Sequence, residues 1–358
     1  MTDNRKTLQG NMHRSLNRRD LLKNSSLLGG LSILPMSSAI SVLAGGPALA
    51  QDAAKVAFQL GWVKSVQHGG HFAALENGYF AEEGIDAGFV SGGPNTELEG
   101  SVAGKQVMMS DTDVLGPVFG RAAGMPIKAI AAIMQRTPEA IMSLAENPIV
   151  ELGDLVDKTV AVPPSRRAQL VSLLTRADID PASVRFVPVG TDPGMLAAGQ
   201  VDGYFGWASN QGVMLKVRGV DIATAYLNDW GVPGYAGVII AREDTIDEQS
   251  DLLIRFLRAD IRGWQWHMDN PDEMAKLMVE KYGQAGLDLE AQTVESNLMN
   301  EFITIGDAAE HGLLWIDPAI FEAGITFARD SGDLAADVEI TADQLVTQDL
   351  IKAAHESL

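Results

Sequence analysis

The chain of 358 residues carries 47 acidic against 27 basic side chains, a formal net charge of −20, and no cysteine. So acidic a surface repels phosphate backbones and anionic lipids, which disfavours nucleic-acid and membrane-surface roles. Without cysteine, disulfides and thiolate metal sites are excluded, and stability must come from the core alone.

The N-terminus carries Arg5, Lys6, Arg14, Arg18, Arg19 and Lys23, then a mildly apolar run from Leu27 to Ala44 and the small-x-small sequence Ala48-Leu49-Ala50. The string Asn17-Arg18-Arg19-Asp20-Leu21-Leu22-Lys23 resembles the twin-arginine export consensus. Residues 1–50 are therefore expected to form a signal peptide read by the twin-arginine translocase and cleaved after Ala50. The apolar run is interrupted by Gly29, Gly30, Ser32, Pro35, Ser37 and Ser38, which argues against a membrane anchor. Later apolar runs are broken by charges or glycines, so a soluble mature protein is expected. Cleavage removes six basic and two acidic residues and leaves a net charge near −24. With no cysteine to carry lipid, the product is untethered, and a periplasm is the expected location.

From Lys55 onward, short β-branched or apolar runs alternate with amphipathic segments, the pattern of α/β layers. Strands are predicted at Lys55 to Leu60, Ile85 to Val90, Val107 to Ser110 and Ile127 to Met134. Helices are predicted around Phe72 to Phe80, Glu97 to Ala103 and Val114 to Ala123. A second set has strands at Thr159 to Val162, Val184 to Val187 and Gly203 to Phe205, and helices near Gln169 to Arg176, Gly194 to Ala198 and Gln211 to Arg218. After a strand at Gly237 to Ala241 the chain is mostly helical. Over Ser250 to Asn270, Leu253, Leu257, Ile261, Trp264 and Met268 fall on one helical face. Asn270-Pro271-Asp272-Glu273 reads as the start of the next helix, with Asn270 as N-cap and Pro271 in the first position.

The string from Gly61 to Ile85, with Trp62, Gln67-His68-Gly69-Gly70-His71 and Gly78-Tyr79-Phe80-Ala81-Glu82-Glu83-Gly84-Ile85, resembles the opening of solute-binding proteins of the nitrate, sulfonate and taurine group. The likeness continues through Gly92-Gly93, Val102-Ala103-Gly104-Lys105, Gly203-Tyr204-Phe205-Gly206-Trp207 and Val238 to Asp244. It also takes in Asn270-Pro271-Asp272-Glu273. Within the group, Ile130-Ala131-Ala132-Ile133-Met134-Gln135 and Gly206-Trp207 resemble the branch that binds thiamine-pyrimidine precursors and is related to pyrimidine synthases. Trp62 is followed here by Val63-Lys64, where that branch has Pro-Asn.

The resemblance implies a bilobed α/β periplasmic-binding-protein fold of type II, with a helical C-terminal extension and a hinge crossed twice, near Gln135 to Glu139 and Pro233 to Ala236. Residues 52–136 plus 236–358 would form lobe one and 137–235 lobe two. The implied function is a receptor that captures a small organic ligand and delivers it to an ABC permease and ATPase, with no cofactor and no catalysis. A thiamine-precursor pyrimidine or related heterocycle is the preferred ligand, and an alkanesulfonate, taurine or nitrate-type anion the alternative. A pyrimidine synthase-like enzyme is the alternative class. Those synthases carry a cysteine-rich motif that this chain lacks.

Ligands of α/β lobes sit beyond the carboxyl ends of strands. Trp62 then either stacks on a flat ring or closes the core. Gln67 and His68 lie in the first loop, and Gly92 and Gly93 in the turn after the second strand. Ser110, Asp111 and Thr112 offer directional hydrogen bonds, with Asp111 equally able to cap the following helix. Gln135 stands at the first crossing. Ser165 and Arg166 stand at a helix N-terminus suited to an anion. Trp207 and Tyr235 either face Trp62 across the cleft or pack in the core. His68 and His71 form H-x-x-H, but zinc needs three or four ligands and no partners accompany them, so no metal is expected.

Overall fold

The computed structural model describes residues 53–93 and 95–358, with the side chain of Ser165 also outside its description. The signal-peptide expectations for residues 1–50 lie outside the described residues.

Two five-stranded sheets organise the chain. The first contains β1 (Ala54–Gln59), β2 (Ile85–Val90), β3 (Met109–Asp113), β4 (Ile127–Met134) and β10 (Ala236–Arg242), in the order β2-β1-β3-β10-β4. The second contains β5 (Glu139–Leu144), β6 (Thr159–Val162), β7 (Arg185–Pro188), β8 (Gly203–Trp207) and β9 (Ile222–Tyr226), in the order β7-β6-β8-β5-β9. In each sheet four strands share one direction and the fifth runs antiparallel between two of them: β10 between β3 and β4, β5 between β8 and β9. The chain passes between sheets from Met134 to Glu139 and again from Tyr226 to Ala236.

Local sequence explains the strand positions. β4 reads Ile-Lys-Ala-Ile-Ala-Ala-Ile-Met and is buried at every position except Lys128, as a strand covered on both faces must be. Its open edge is closed by the C-terminal segment, where Ala129 bridges Val346 and the Thr347 N–H donates to the Ala129 carbonyl. β2 instead alternates buried and exposed residues at the other edge.

The predicted apolar face of helix Ser250–Asp269 buries Leu253, Leu257, Ile261 and Trp264 against helix Gly69–Glu76. The two backbones cross closely because glycine stands on both. A Cβ at Gly70 would lie 2.1 Å from the Trp264 ring, and one at Gly263 would lie 2.2 Å from the Gly70 carbonyl oxygen. The predicted helix from Phe72 to Phe80 is split at Gly78, whose φ of +76° a right-handed helix cannot contain.

Four sequence expectations are corrected. β5 and β9 are strands that the pattern did not reveal. The helix predicted from Gln211 opens as a π-helical turn at Ala208–Gly212 before Val213–Val217. The strand predicted at Val107 to Ser110 runs instead over Met109–Asp113, so Ser110, Asp111 and Thr112 lie within it. Asn270 does not cap the following helix: its side-chain amide donates to the Trp266 carbonyl, closing the preceding helix instead, while Pro271 takes the first position as expected.

Candidate functional site

A cleft of ≈ 240 Å³ opens between the carboxyl ends of strands from both sheets. From the first sheet come Gly61 and Trp62 after β1, Gln67, Gly93 after β2, and Asp111, Thr112 and Asp113 of β3. The second sheet brings Glu139 at the start of β5, Arg166 after β6, and Tyr204 to Trp207 of β8, followed by Asn210 and Gln211. Thr137 comes from the first crossing segment.

Backbone hydrogen bonds hold the entrance loops. The Gly61 N–H donates to Asp111 Oδ1 at 2.8 Å, and the Gly92 N–H donates to the Trp62 carbonyl at 2.9 Å. Gly92 fits there because a Cβ would meet the Leu60 carbonyl oxygen at 2.0 Å. Opposite, the Trp207 N–H donates to Gln211 Oε1 at 2.9 Å, which turns the chain from β8 into the π-helical turn.

The charged groups form two sets. In one, Arg166 Nη1 donates to Asp113 Oδ2 at 2.7 Å and its Nε pairs with Glu139 Oε1 at 3.2 Å. Gln169 donates to the other Glu139 oxygen at 3.0 Å. Glu139 and Asp113 hold the guanidinium pKa above its ordinary value against the partial loss of its hydration. Burial is the main reason the Glu139 carboxyl is raised, even with Arg166 opposing it. Glu99, which accepts from the Thr112 hydroxyl at 2.6 Å, is raised by burial too.

In the other set, Asp111 is 4 % exposed and lies 3.5 Å from His68 Nε2. Burial works against its ionisation, but His68, His71 and the Gly61 N–H together outweigh burial and hold its pKa below the ordinary value. Behind it His71 Nδ1 meets Asp260 at 2.6 Å with both side chains fully buried, and the carboxylate overcomes the effect of burial to raise the imidazole.

Of the residues singled out by sequence, Trp62, Gln67, Gly93, Asp111, Thr112, Arg166 and Trp207 line the cleft. The side chain of Ser165 lies outside the described residues. Five stand elsewhere. His68 is buried behind Asp111, and Gly92 is packed against the Leu60 carbonyl. Ser110 is buried with its hydroxyl on the Leu98 carbonyl, and Gln135 spends its amide on the carbonyls of Ala132 and Trp315. Tyr235 is buried, its hydroxyl donating to Asp307 at 2.7 Å and accepting from the Asp317 N–H at 3.1 Å.

Two assignments of role change. Asp113, not Asp111, caps the following helix by accepting from the N–H groups of Leu115 and Gly116. The Arg166 guanidinium, which the sequence offered as a partner for an anion, is already committed to two carboxylates. Sequence reading missed Asp113, Glu139, Asn210 and Gln211. The period-two alternation of a strand that contains Asp111 would have pointed to Asp113.

A model of the NMT1/THI5-like family matches residues 65–274. The formylaminopyrimidine-binding protein of Halalkalibacterium halodurans is 30% identical over 251 residues, 68% of this chain and 75% of that protein. Riboflavin-binding protein RibY of Chloroflexus aurantiacus is 25% identical over 339 residues, 87% of this chain and 94% of its own length. Among solved structures, the periplasmic aliphatic sulphonate binding protein SsuA of Escherichia coli superposes with a TM-score of 0.59 at 14% identity, over 83% of this chain and 92% of that one. That likeness identifies the architecture as the bilobed α/β periplasmic-binding-protein fold.

Proposed function

We infer the function from one premise: the chain belongs to the NMT1/THI5-like family. It is an extracytoplasmic solute-binding receptor that captures a small organic ligand. Its lobes are residues 52–136 plus 236–358 and residues 137–235, hinged at the two crossings. Contacts made from both lobes exist only when the lobes are together, so ligand shifts the population towards closure. An ABC permease and its ATPase read that closed shape and take the cargo. Export by the twin-arginine translocase, cleavage after Ala50 and a periplasmic location complete the reading.

The ligand is a thiamine-precursor pyrimidine or a related single-ring heterocycle. The observation that carries this choice is the composition of the cleft: indoles from both sheets, Trp62 and Trp207, beside three carboxylates whose one guanidinium is already paired. Aromatic faces suit a flat ring, whereas an alkanesulfonate, taurine or nitrate needs an uncommitted cation. A volume of ≈ 240 Å³ is below the roughly 300–1,000 Å³ of sites for drug-sized ligands, which favours one ring over a flavin. The protein is not an enzyme on this reading. It has no cysteine, and among the described residues no lysine lines the cleft to bind an aldehyde cofactor covalently.

A thermal-shift screen of the purified protein against aminopyrimidines, riboflavin, alkanesulfonates and nitrate tests the choice. A ligand at about 100 times its dissociation constant adds about 2.7 kcal/mol of stability. Stabilisation by an aminopyrimidine and not by the anions is expected. The reverse pattern would overturn the ligand assignment.

A further inference from the structure

The carboxylates of the cleft are not equivalent. Asp113 and Glu139 share Arg166, and Glu139 has Gln169 as well. Asp111 stands apart from that cation. Its Oδ1 accepts one hydrogen bond, from the Gly61 N–H, while its Oδ2 faces His68 Nε2 across 3.5 Å. Among the described residues neither ring nitrogen of the buried His68 has a well-formed hydrogen bond, Nε2 having only the ion-pair contact to Asp111. A desolvated carboxylate thus lines the cleft with accepting capacity left over.

The carboxylate is also fixed in place. A Cβ at Gly61 would lie 2.8 Å from the Asp111 carbonyl oxygen and 3.0 Å from its Oδ2, so the loop carrying Trp62 is packed directly against it. Asp111 is held within β3, between β1 and β10. Such a group cannot swing towards solvent to recover hydration, so a ligand that brings no donor leaves its remaining acceptor positions unfilled in a low-dielectric site.

Resting on the receptor reading above, we propose that Asp111 is the specificity-determining acceptor of the cleft, taking a ligand that presents an exocyclic amino group or protonated ring nitrogen to it. The ring faces the indoles and the donor edge faces Asp111. Ring systems that present only acceptors at that edge are rejected because two acceptors would meet, and anions are rejected by the same charge.

Calorimetric titration of the purified protein with 4-amino-2-methylpyrimidine and with its 4-methoxy counterpart, which has no donor at that edge, tests the assignment, together with the variant Asp111→Asn. Wild type is expected to prefer the amino compound by about 100-fold. Asp111→Asn, whose amide can donate as well as accept, should lose about 30-fold for the amino compound and lose nothing, or gain, for the methoxy compound. Equal wild-type affinity for the two, or an unchanged amino affinity in Asp111→Asn, overturns the role of Asp111 while leaving the receptor reading intact. If wild type binds neither pyrimidine but binds methanesulfonate, the ligand reading itself falls and takes this role with it. Should Asp111→Asn fail to fold, the wild-type preference between the two compounds decides alone.

Discussion

Arg166 Nη1 donates to Asp113 Oδ2 over 2.7 Å, bonding the segment after β6 in one sheet to the end of β3 in the other. The same guanidinium reaches Glu139, which is 4 % exposed. A cation that satisfies carboxylates on both sides of a cleft holds the two sides together, and its removal strands the more buried acid.

Arg166→Met, which keeps most of the side-chain volume, is therefore expected to lower stability. Removing one partner of a buried ion pair costs about 3–5 kcal/mol, and the partial exposure of Arg166 reduces that to about 1–3 kcal/mol. Adding Glu139→Gln should recover much of the loss by removing the unpaired charge. Urea titrations of the two single variants and the double variant give the coupling. Additive losses would mean that the pair does not hold the cleft.

Glu295, directly behind the cleft residue Asn210, provides a pH test. It is buried with one oxygen accepting from Asn210 and Gln292, the other has no partner among the described residues, and burial pushes its pKa up to about 8. The folded state then binds a proton that the unfolded state has released, so stability falls as pH rises through the folded pKa, by up to about 1.4 kcal/mol per unit. His267, lowered by burial to about 3, acts in the opposite direction only below its unfolded value near 6.5. His71, raised by Asp260, adds a loss of the same sign as Glu295. The difference between Glu295→Gln and wild type therefore isolates the carboxyl. The variant should gain on wild type steadily from pH 6.5 to 8 in chemical denaturation, and parallel curves would show that Glu295 titrates normally.

Much of the architecture was legible because it rests on local pattern. Ile85–Val90, Ile127–Met134 and Thr159–Val162 are short, largely apolar stretches, and their predicted limits match the strands. β5 was not legible: Ala140-Ile141-Met142 suit a helix equally well, and the pairing with β8 and β9 that makes them a strand is long-range. Glu139, first residue of that strand, was lost with it. Trp62 and Arg166, each following a recognisable strand, could be placed at the cleft from sequence alone. Tyr235 was misplaced by the same logic. Its aromatic ring stands at a crossing, but its partner Asp307 lies 72 residues away and nothing local announces it.

The crossing of helices Gly69–Glu76 and Ser250–Asp269 gives a prediction confined to packing. Gly263→Ala would place a methyl 2.2 Å from the Gly70 carbonyl oxygen, a backbone atom that cannot rotate away. Overpacking of this kind costs about 1–3 kcal/mol or more. The melting temperature should fall clearly, while the ligand affinity of the folded fraction stays within twofold, because neither glycine lines the cleft. A lost affinity at retained stability would show that this crossing sets the cleft geometry.

Trp62 separates packing from recognition in the opposite sense. It lines the cleft and is half-buried, unlike Trp264, which is fully enclosed in the core. Stacking of a heterocycle on an aromatic side chain contributes about 1–3 kcal/mol, so Trp62→Ala should weaken pyrimidine binding by about 5- to 150-fold. Its loop stays anchored through the Gly61 N–H to Asp111 and the Trp62 carbonyl to the Gly92 N–H, and the latter bond does not depend on the indole. The melting temperature of the ligand-free variant should therefore remain near that of wild type. Trp62→Phe should recover part of the affinity by restoring an aromatic face. An Ala variant that folds and binds as wild type would show that the indole only fills the strand end, leaving Trp207 as the stacking surface to test by the same pair of substitutions.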